Sequence, residues 1–321
     1  VSFNARPVPG RAFFYTFLAI ILLSGCAWRN VQVQLPADHA IPDHVLLDNV
    51  PFFAQKAYQC GPAALAMMLR QTGVMVTPDE LVPMVYVPDR KGSLQSGLIS
   101  GTRRHDRLAY AIEGLSCLIQ EIAGGHPVLV LQNLGLSWAP RWHYAVVVGY
   151  DLNVRQVILH TGVRDHRRVR LATFRQTWKR AGFWGLLTLP VGQMPVCARE
   201  PDYLKAVLGL QQAGHTLSAV TAFQAAVNYW PQSVNARMAL GNAQYIAADL
   251  SGAAQSFREA VALKPDNGNA LNNLAHTLAE LGNLEEALAT IQRAIHIAGP
   301  HQATYRQTFE EIRKRIEEEK Q

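Results

Sequence analysis

Gln55-Lys56-Ala57-Tyr58-Gln59-Cys60-Gly61-Pro62-Ala63-Ala64-Leu65-Ala66-Met67-Met68-Leu69 decides how the first half of the chain is read. From Pro62 onward the residues are strong helix formers, and proline is favoured in a first helical turn. Cys60 therefore falls at a helix start. Unpaired N–H groups and the positive dipole end there favour a thiolate over a thiol. Gly61 permits close backbone approach. A buried cysteine capping a core helix fits the same residues, so a partner is needed to decide.

The partner lies downstream. Pro127–Leu131 is an apolar strand-like run. After a loop over 133–142 comes His143-Tyr144-Ala145-Val146-Val147-Val148-Gly149-Tyr150-Asp151, a β-branched strand with His143 at its start. Val157–Leu159 reads as a further strand and Arg168–Leu171 as a short one. Thr173–Arg180 reads as a helix with Phe174 and Trp178 on one face, and Phe183–Pro190 as a last strand. A helix-borne cysteine followed by a strand-borne histidine is the papain-type order.

The segment from Gln55 through Cys60-Gly61-Pro62-Ala63-Ala64-Leu65 resembles the nucleophile motif of bacteriocin-processing cysteine peptidases, which cleave after double-glycine leaders. The segment His143-Tyr144 through Val148-Gly149-Tyr150-Asp151 resembles their histidine strand. The resemblance covers about residues 45–192 and implies an α+β papain-like fold. It implies Cys60 as nucleophile, His143 as its proton partner and Gln55 as an oxyanion donor beside the Cys60 N–H. A plain surface-loop role for Gln55 stays open. The family carries Asp or Asn at the third position, where this chain has Thr161. A hydroxyl can orient the imidazole but cannot stabilise its cation as a carboxylate does. His160 alternates to the opposite strand face. Asp151 is eight residues past His143, about 26 Å along an extended chain, and reads as a turn residue.

The chain has 321 residues, 30 Lys and Arg against 24 Asp and Glu, and 49% hydrophobic residues. About two domains are expected from that length. The net charge of +6 is uneven: residues 1–44 carry +1, 45–199 carry +8 and 200–321 carry −3. Such a split does not describe a nucleic-acid-binding body, so no nucleic-acid partner is expected. The four cysteines form no CxxC pair, so neither metal nor other cofactor is expected. A Cys117–Cys197 disulfide stays open. The run Arg164–Arg170 reads as a solvated basic loop that could steer an acidic peptide or lie near lipid head groups.

Arg6 and Arg11 precede the apolar run Ala12–Leu23, too short for a bilayer span of about twenty residues. It ends in Leu23-Ser24-Gly25-Cys26, which resembles the lipobox of bacterial lipoproteins. That resemblance implies a signal peptide over 1–25, a lipidated Cys26 and a tether over 26–44. Ala27 after the cysteine favours the outer membrane of the bacterial envelope, with the protein facing the periplasm.

After a linker over 193–199 the chain acquires a 34-residue period: Ala219, Ala253 and Ala287; Phe223, Phe257 and Ile291; Ala226, Ala260 and Ala294. This resembles the tetratricopeptide repeat. Three repeats over 200–301 and a polar capping helix over 302–321 imply an all-α solenoid whose concave face holds a protein partner. The expected whole is a membrane-anchored cysteine peptidase acting on a peptide or protein. The alternatives are a non-catalytic peptide-binding scaffold and a Cys–His acyl transferase.

Overall fold

The computed structural model describes residues 41–297 and 299–320. The basic leader, Cys26 and most of the tether lie outside these residues. No helix among the described residues is long and apolar enough to cross a membrane.

The first half is built on one central helix and one antiparallel sheet. Helix α1 (Cys60–Gln71) buries every residue from Gly61 to Leu69, so it is a core helix and not an amphipathic surface one. Two short helices, α2 (Pro78–Val85) and α3 (Gln95–Arg104), pack beside it. Thr77 and Glu80 close a capping box at the start of α2. Between α2 and α3 lies a small hairpin, β2 (Tyr86–Val87) and β3 (Gly92–Ser93), joined by a 3-10 turn over Pro88–Arg90.

The main sheet has seven strands: β1 (His44–Leu46), β4 (Leu108–Glu113), β5 (Val128–Asn133), β6 (Trp142–Asp151), β7 (Gln156–Thr161), β8 (Arg164–Arg170) and β9 (Trp184–Leu189). The order is β4-β9-β5-β6-β7-β8, with β1 covering the far end of β6. Tyr144, Val146 and Val148 alternate along β6 and join the α1 side chains in one core cluster. Helices α4 (Leu115–Ala123) and α5 (Leu171–Lys179) also pack on the sheet. Phe174 and Trp178 are fully buried, as their i, i+4 spacing predicts.

Two expectations change. Residues 42–44, read as tether, already dock on the sheet: the Pro42 carbonyl accepts from the Tyr150 hydroxyl at 2.9 Å, and His44 pairs with Asp151 in register. The basic run over 164–170 is an edge strand, not a loop. Its arginines are exposed on both faces, so the alternation that marks a half-buried strand is absent from the sequence. Such a charged edge resists pairing with another chain.

The second half is six antiparallel repeat helices and a seventh. They are α6 (Glu200–Gln212), α7 (Thr216–Tyr229), α8 (Val234–Ile246), α9 (Leu250–Leu263), α10 (Gly268–Glu280), α11 (Leu284–Ile295) and α12 (Gln302–Glu319). Ala219, Ala253 and Ala287 are fully buried between helices. At Gly241 a Cβ would come within 2.6 Å of the Phe257 ring, so the small residue sets how closely α8 and α9 approach.

The 193–199 segment is clamped to the first half. Cys117 on α4 and Cys197 form a disulfide with a Cα–Cα distance of 5.7 Å, within the ordinary range. The bridge spans 80 residues, for which loop-closure entropy contributes roughly 4–5 kcal/mol. The fully buried Glu121 accepts from the Cys197 N–H at 2.9 Å and bonds His126 at 2.7 Å. Cys60 is the free cysteine among the described residues.

Candidate active site

The start of α1 leaves backbone donors unused by the helix. Pro62 has no N–H, and the first intrahelical donor after it is Ala63, bonded to the Gln59 carbonyl at 3.2 Å. The N–H groups of Cys60 and Gly61 are therefore free to act locally, and both bear on the Cys60 sulfur. Gly61 is required by space: a Cβ there would overlap the Ser93 side chain. Just upstream, Tyr58 takes a left-handed backbone (φ 63°) that turns the chain from Gln55 into the helix.

Gln55 is held at both ends of its amide. Its backbone N–H donates to the Gly162 carbonyl at 2.9 Å, and its Oε1 accepts from the Gly162 N–H at 3.0 Å. Its Nε2 donates to the Tyr144 carbonyl at 3.2 Å. These partners orient the amide, since the opposite flip would set acceptor against acceptor and donor against donor. One Nε2 proton is left over.

His143 and Thr161 meet by strand register. Val146 pairs with His160 across β6 and β7. Thr161 then falls on the sheet face of residues 143 and 145, within diagonal reach of His143. The His143 Nε2 and Thr161 Oγ1 are 2.7 Å apart. His160 points the other way and is committed: its Nε2 bonds the Val50 carbonyl at 3.1 Å, and its Nδ1 accepts from the His166 N–H at 3.2 Å. Asp151 accepts from the Val154 N–H at 3.2 Å in the turn after β6.

Gln55, Cys60, Tyr144, His143 and Gly162 line one cleft of about 950 Å³. Thr161 lies behind the imidazole, bonded to it. The α1 start and the β6 start both contribute to the cleft, and Tyr58, Leu94 and Trp142 form an exposed apolar rim of its lining. Ser93 also lines the cleft, and its Oγ is buried without a hydrogen-bond partner. No spacing in the sequence marks Ser93, because a two-residue hairpin strand has no periodic signal.

The electrostatics differ from the thiolate expected at a helix start. Burial pushes the Cys60 thiol up, while the backbone N–H groups of Tyr144, Gly61 and Cys60 pull it down less strongly. Burial also lowers the His143 pKa, with Arg167 and Arg141 adding to the shift. Desolvation thus outweighs the local donors at Cys60, and both shifts favour the uncharged forms, a thiol and a neutral imidazole. In the tautomer whose Nε2–H donates to the Thr161 hydroxyl, Nδ1 is the nitrogen able to take a proton.

Residues 47–185 match the Peptidase_C39 like family, and residues 204–268 and 245–307 match tetratricopeptide repeat families. An uncharacterized protein of Methanothermobacter thermautotrophicus is 30% identical over 104 residues, spanning 32% of this chain and 66% of the relative, just under two thirds of its length. Among solved structures, a Bacillus anthracis protein described as a C39-like peptidase is 20% identical, covering 46% of this chain and 97% of its own (TM-score 0.39). A double glycine motif protease from an AMS/PCAT transporter, in complex with its leader peptide, is 18% identical over 44% of this chain and 91% of its own (TM-score 0.34). The Yersinia enterocolitica type III secretion chaperone SycD, with a peptide of the translocator YopD, is 16% identical over 36% of this chain and 93% of its own (TM-score 0.34). The mixed helix-and-sheet half is thus a C39-like peptidase domain, and the helices that follow it are tetratricopeptide repeats.

Proposed function

We propose that the chain is a cysteine peptidase in which Cys60 attacks a peptide carbonyl and His143 carries the proton. The observation that supports this most directly is the His143 Nε2–Thr161 bond at 2.7 Å, which leaves Nδ1 for a cysteine lining the same cleft. The His143 Nδ1 takes the proton from the Cys60 Sγ as the S–C bond forms. The resulting oxyanion is held by the Cys60 N–H and the spare Gln55 Nε2 proton. His143 returns its proton to the leaving amine as the C–N bond breaks. Water, deprotonated by His143, then releases the acid from the thioester.

Thr161 holds the ring by a hydrogen bond but adds no negative charge. The imidazolium, facing Arg141 and Arg167, forms only as the sulfur attacks. General-base activation of a neutral thiol follows, not a stored ion pair.

Alkylation of Cys60 by a thiol-directed peptide electrophile across pH tests this. The raised thiol pKa means that thiolate accumulates as pH rises, so the wild-type rate climbs through the alkaline range. The lowered His143 pKa keeps the imidazole able to accept a proton at neutral pH. Near pH 7 the His143→Ala variant should therefore alkylate at least about tenfold slower, and the two rates should converge where the thiol ionises unaided. Equal rates at neutral pH would remove His143 from the reaction.

The repeats support binding of a protein or peptide on their concave face. The lipid anchor on Cys26, with the protein on the periplasmic side of the outer membrane, is proposed from the Leu23-Ser24-Gly25-Cys26 motif. Cys26→Ser should shift the protein from the membrane to the soluble fraction; unchanged partition would sink that part of the reading.

A further inference from the structure

We propose that the cleft selects peptides bearing Asp or Glu close to the scissile bond, an inference that rests on the peptidase reading and names its substrate class. Five cationic side chains line the cleft: Lys56, Arg90, Lys91, Arg141 and Arg180. No Asp or Glu lines it among the described residues. Asp89, next to Arg90 in the chain, is not part of the lining.

Among the described residues, one of the five charges is cancelled. Lys56 Nζ sits 2.7 Å from Asp79 Oδ1. Arg180 donates to the Gly135 carbonyl at 2.6 Å, which occupies a donor and leaves the charge in place. Lys91 Nζ lies 5.8 Å from the Tyr58 ring centroid. Arg90 and Arg141 are exposed, and neither is in an ion pair with a described carboxylate. The four uncancelled cations come from two separate places in the fold. Arg90 and Lys91 come from the turn between β2 and β3, beside α1. Arg141 precedes β6 and Arg180 follows α5, on the sheet side.

Like charges gathered around one concavity repel each other, and low-dielectric walls focus their field into it. A carboxylate relieves that repulsion, and the planar guanidinium matches it in a bidentate pair. A peptide laid in the cleft would meet these cations along with Cys60. The rim also favours a peptide over a plain polyanion, since Tyr58 and Trp142 are 61% and 56% exposed and offer aromatic faces to side chains. A phosphate backbone has no acyl carbon for Cys60 to attack.

The test offers the full chain two quenched fluorescent peptide libraries, one with Asp and Glu and the other with Asn and Gln at the same positions. Cleavage of the acidic library should be at least about tenfold more efficient at low salt, and the ratio should shrink at high salt. Arg90→Gln combined with Arg141→Gln should bring the ratio toward one, whereas Arg90→Lys with Arg141→Lys should keep most of it. A wild-type ratio near one, or a ratio untouched by the paired glutamine substitution, overturns the proposal. Binding of both libraries to the Cys60→Ala chain separates this inference from the peptidase reading. If the wild type cleaves neither library, the peptidase reading fails. Tighter binding of the acidic library by about tenfold then upholds the charge preference, and equal binding overturns it.

Discussion

Cys60→Ala should reduce peptide cleavage to background, a loss of at least about 10³-fold in kcat. Among the described residues that line the cleft, the Cys60 sulfur is the nucleophile that stands at a helix start with free N–H donors. The substitution removes one atom from a half-buried position in the first helical turn, where alanine is well accepted. The fold should therefore survive, and an unchanged circular dichroism spectrum would show it. His143→Ala should cost about 10²–10⁴-fold, the usual worth of a positioned proton carrier. The double variant should be no worse than Cys60→Ala alone, because residues acting as one unit are not additive. Steady-state cleavage of a peptide library by the three variants checks this. Retained turnover in Cys60→Ala would end the peptidase reading.

Gln55→Ala should lower kcat by about 10²-fold with a smaller change in KM. The Gln55 amide is fixed by the Gly162 N–H and the Tyr144 carbonyl, so its spare proton is preorganised and costs no reorganisation when charge develops on the substrate oxygen. Loss of a donor used only in the transition state lowers kcat and kcat/KM together. Gln55→Glu separates this from a structural effect. It keeps the acceptor for Gly162 but removes the donor and adds a negative charge where the oxyanion forms, so it should be at least as impaired as Gln55→Ala. A Gln55→Glu enzyme near wild type would mean that Gln55 only ties two loops together.

Most of the fold was legible because its signals are local. The helix from Cys60 follows from a proline in the first turn and a run of alanine, leucine and methionine. The strands β5, β6, β7 and β9 follow from β-branched runs, and the repeat helices from a 34-residue recurrence of small residues. Only the end of strand β8 was read, as a short strand over Arg168–Leu171, because four arginines hide its alternation; β2 and β3 were missed because two residues carry no period. Docking of residues 42–44 was missed because a polar, proline-bearing segment gives no sign that a strand edge awaits it.

The sequence alone determined which residues are candidates: Cys60, His143, Gln55 and Thr161, in an order set by the chain itself. It also placed Thr161 and His160 on opposite strand faces, because strand alternation has a period of two; the register of β6 against β7 decided that Thr161 is the one that meets His143. Only the tertiary structure showed that burial opposes charge on both members of the pair. A helix start argues for a thiolate, but the desolvation imposed by the surrounding core outweighs its N–H donors. The tertiary structure also joined Arg90, Lys91, Arg141 and Arg180 around one cleft. They come from separate loops, so no spacing along the chain reveals that they share a field. Burial and charge proximity are properties of the packed whole, and a local pattern does not carry them.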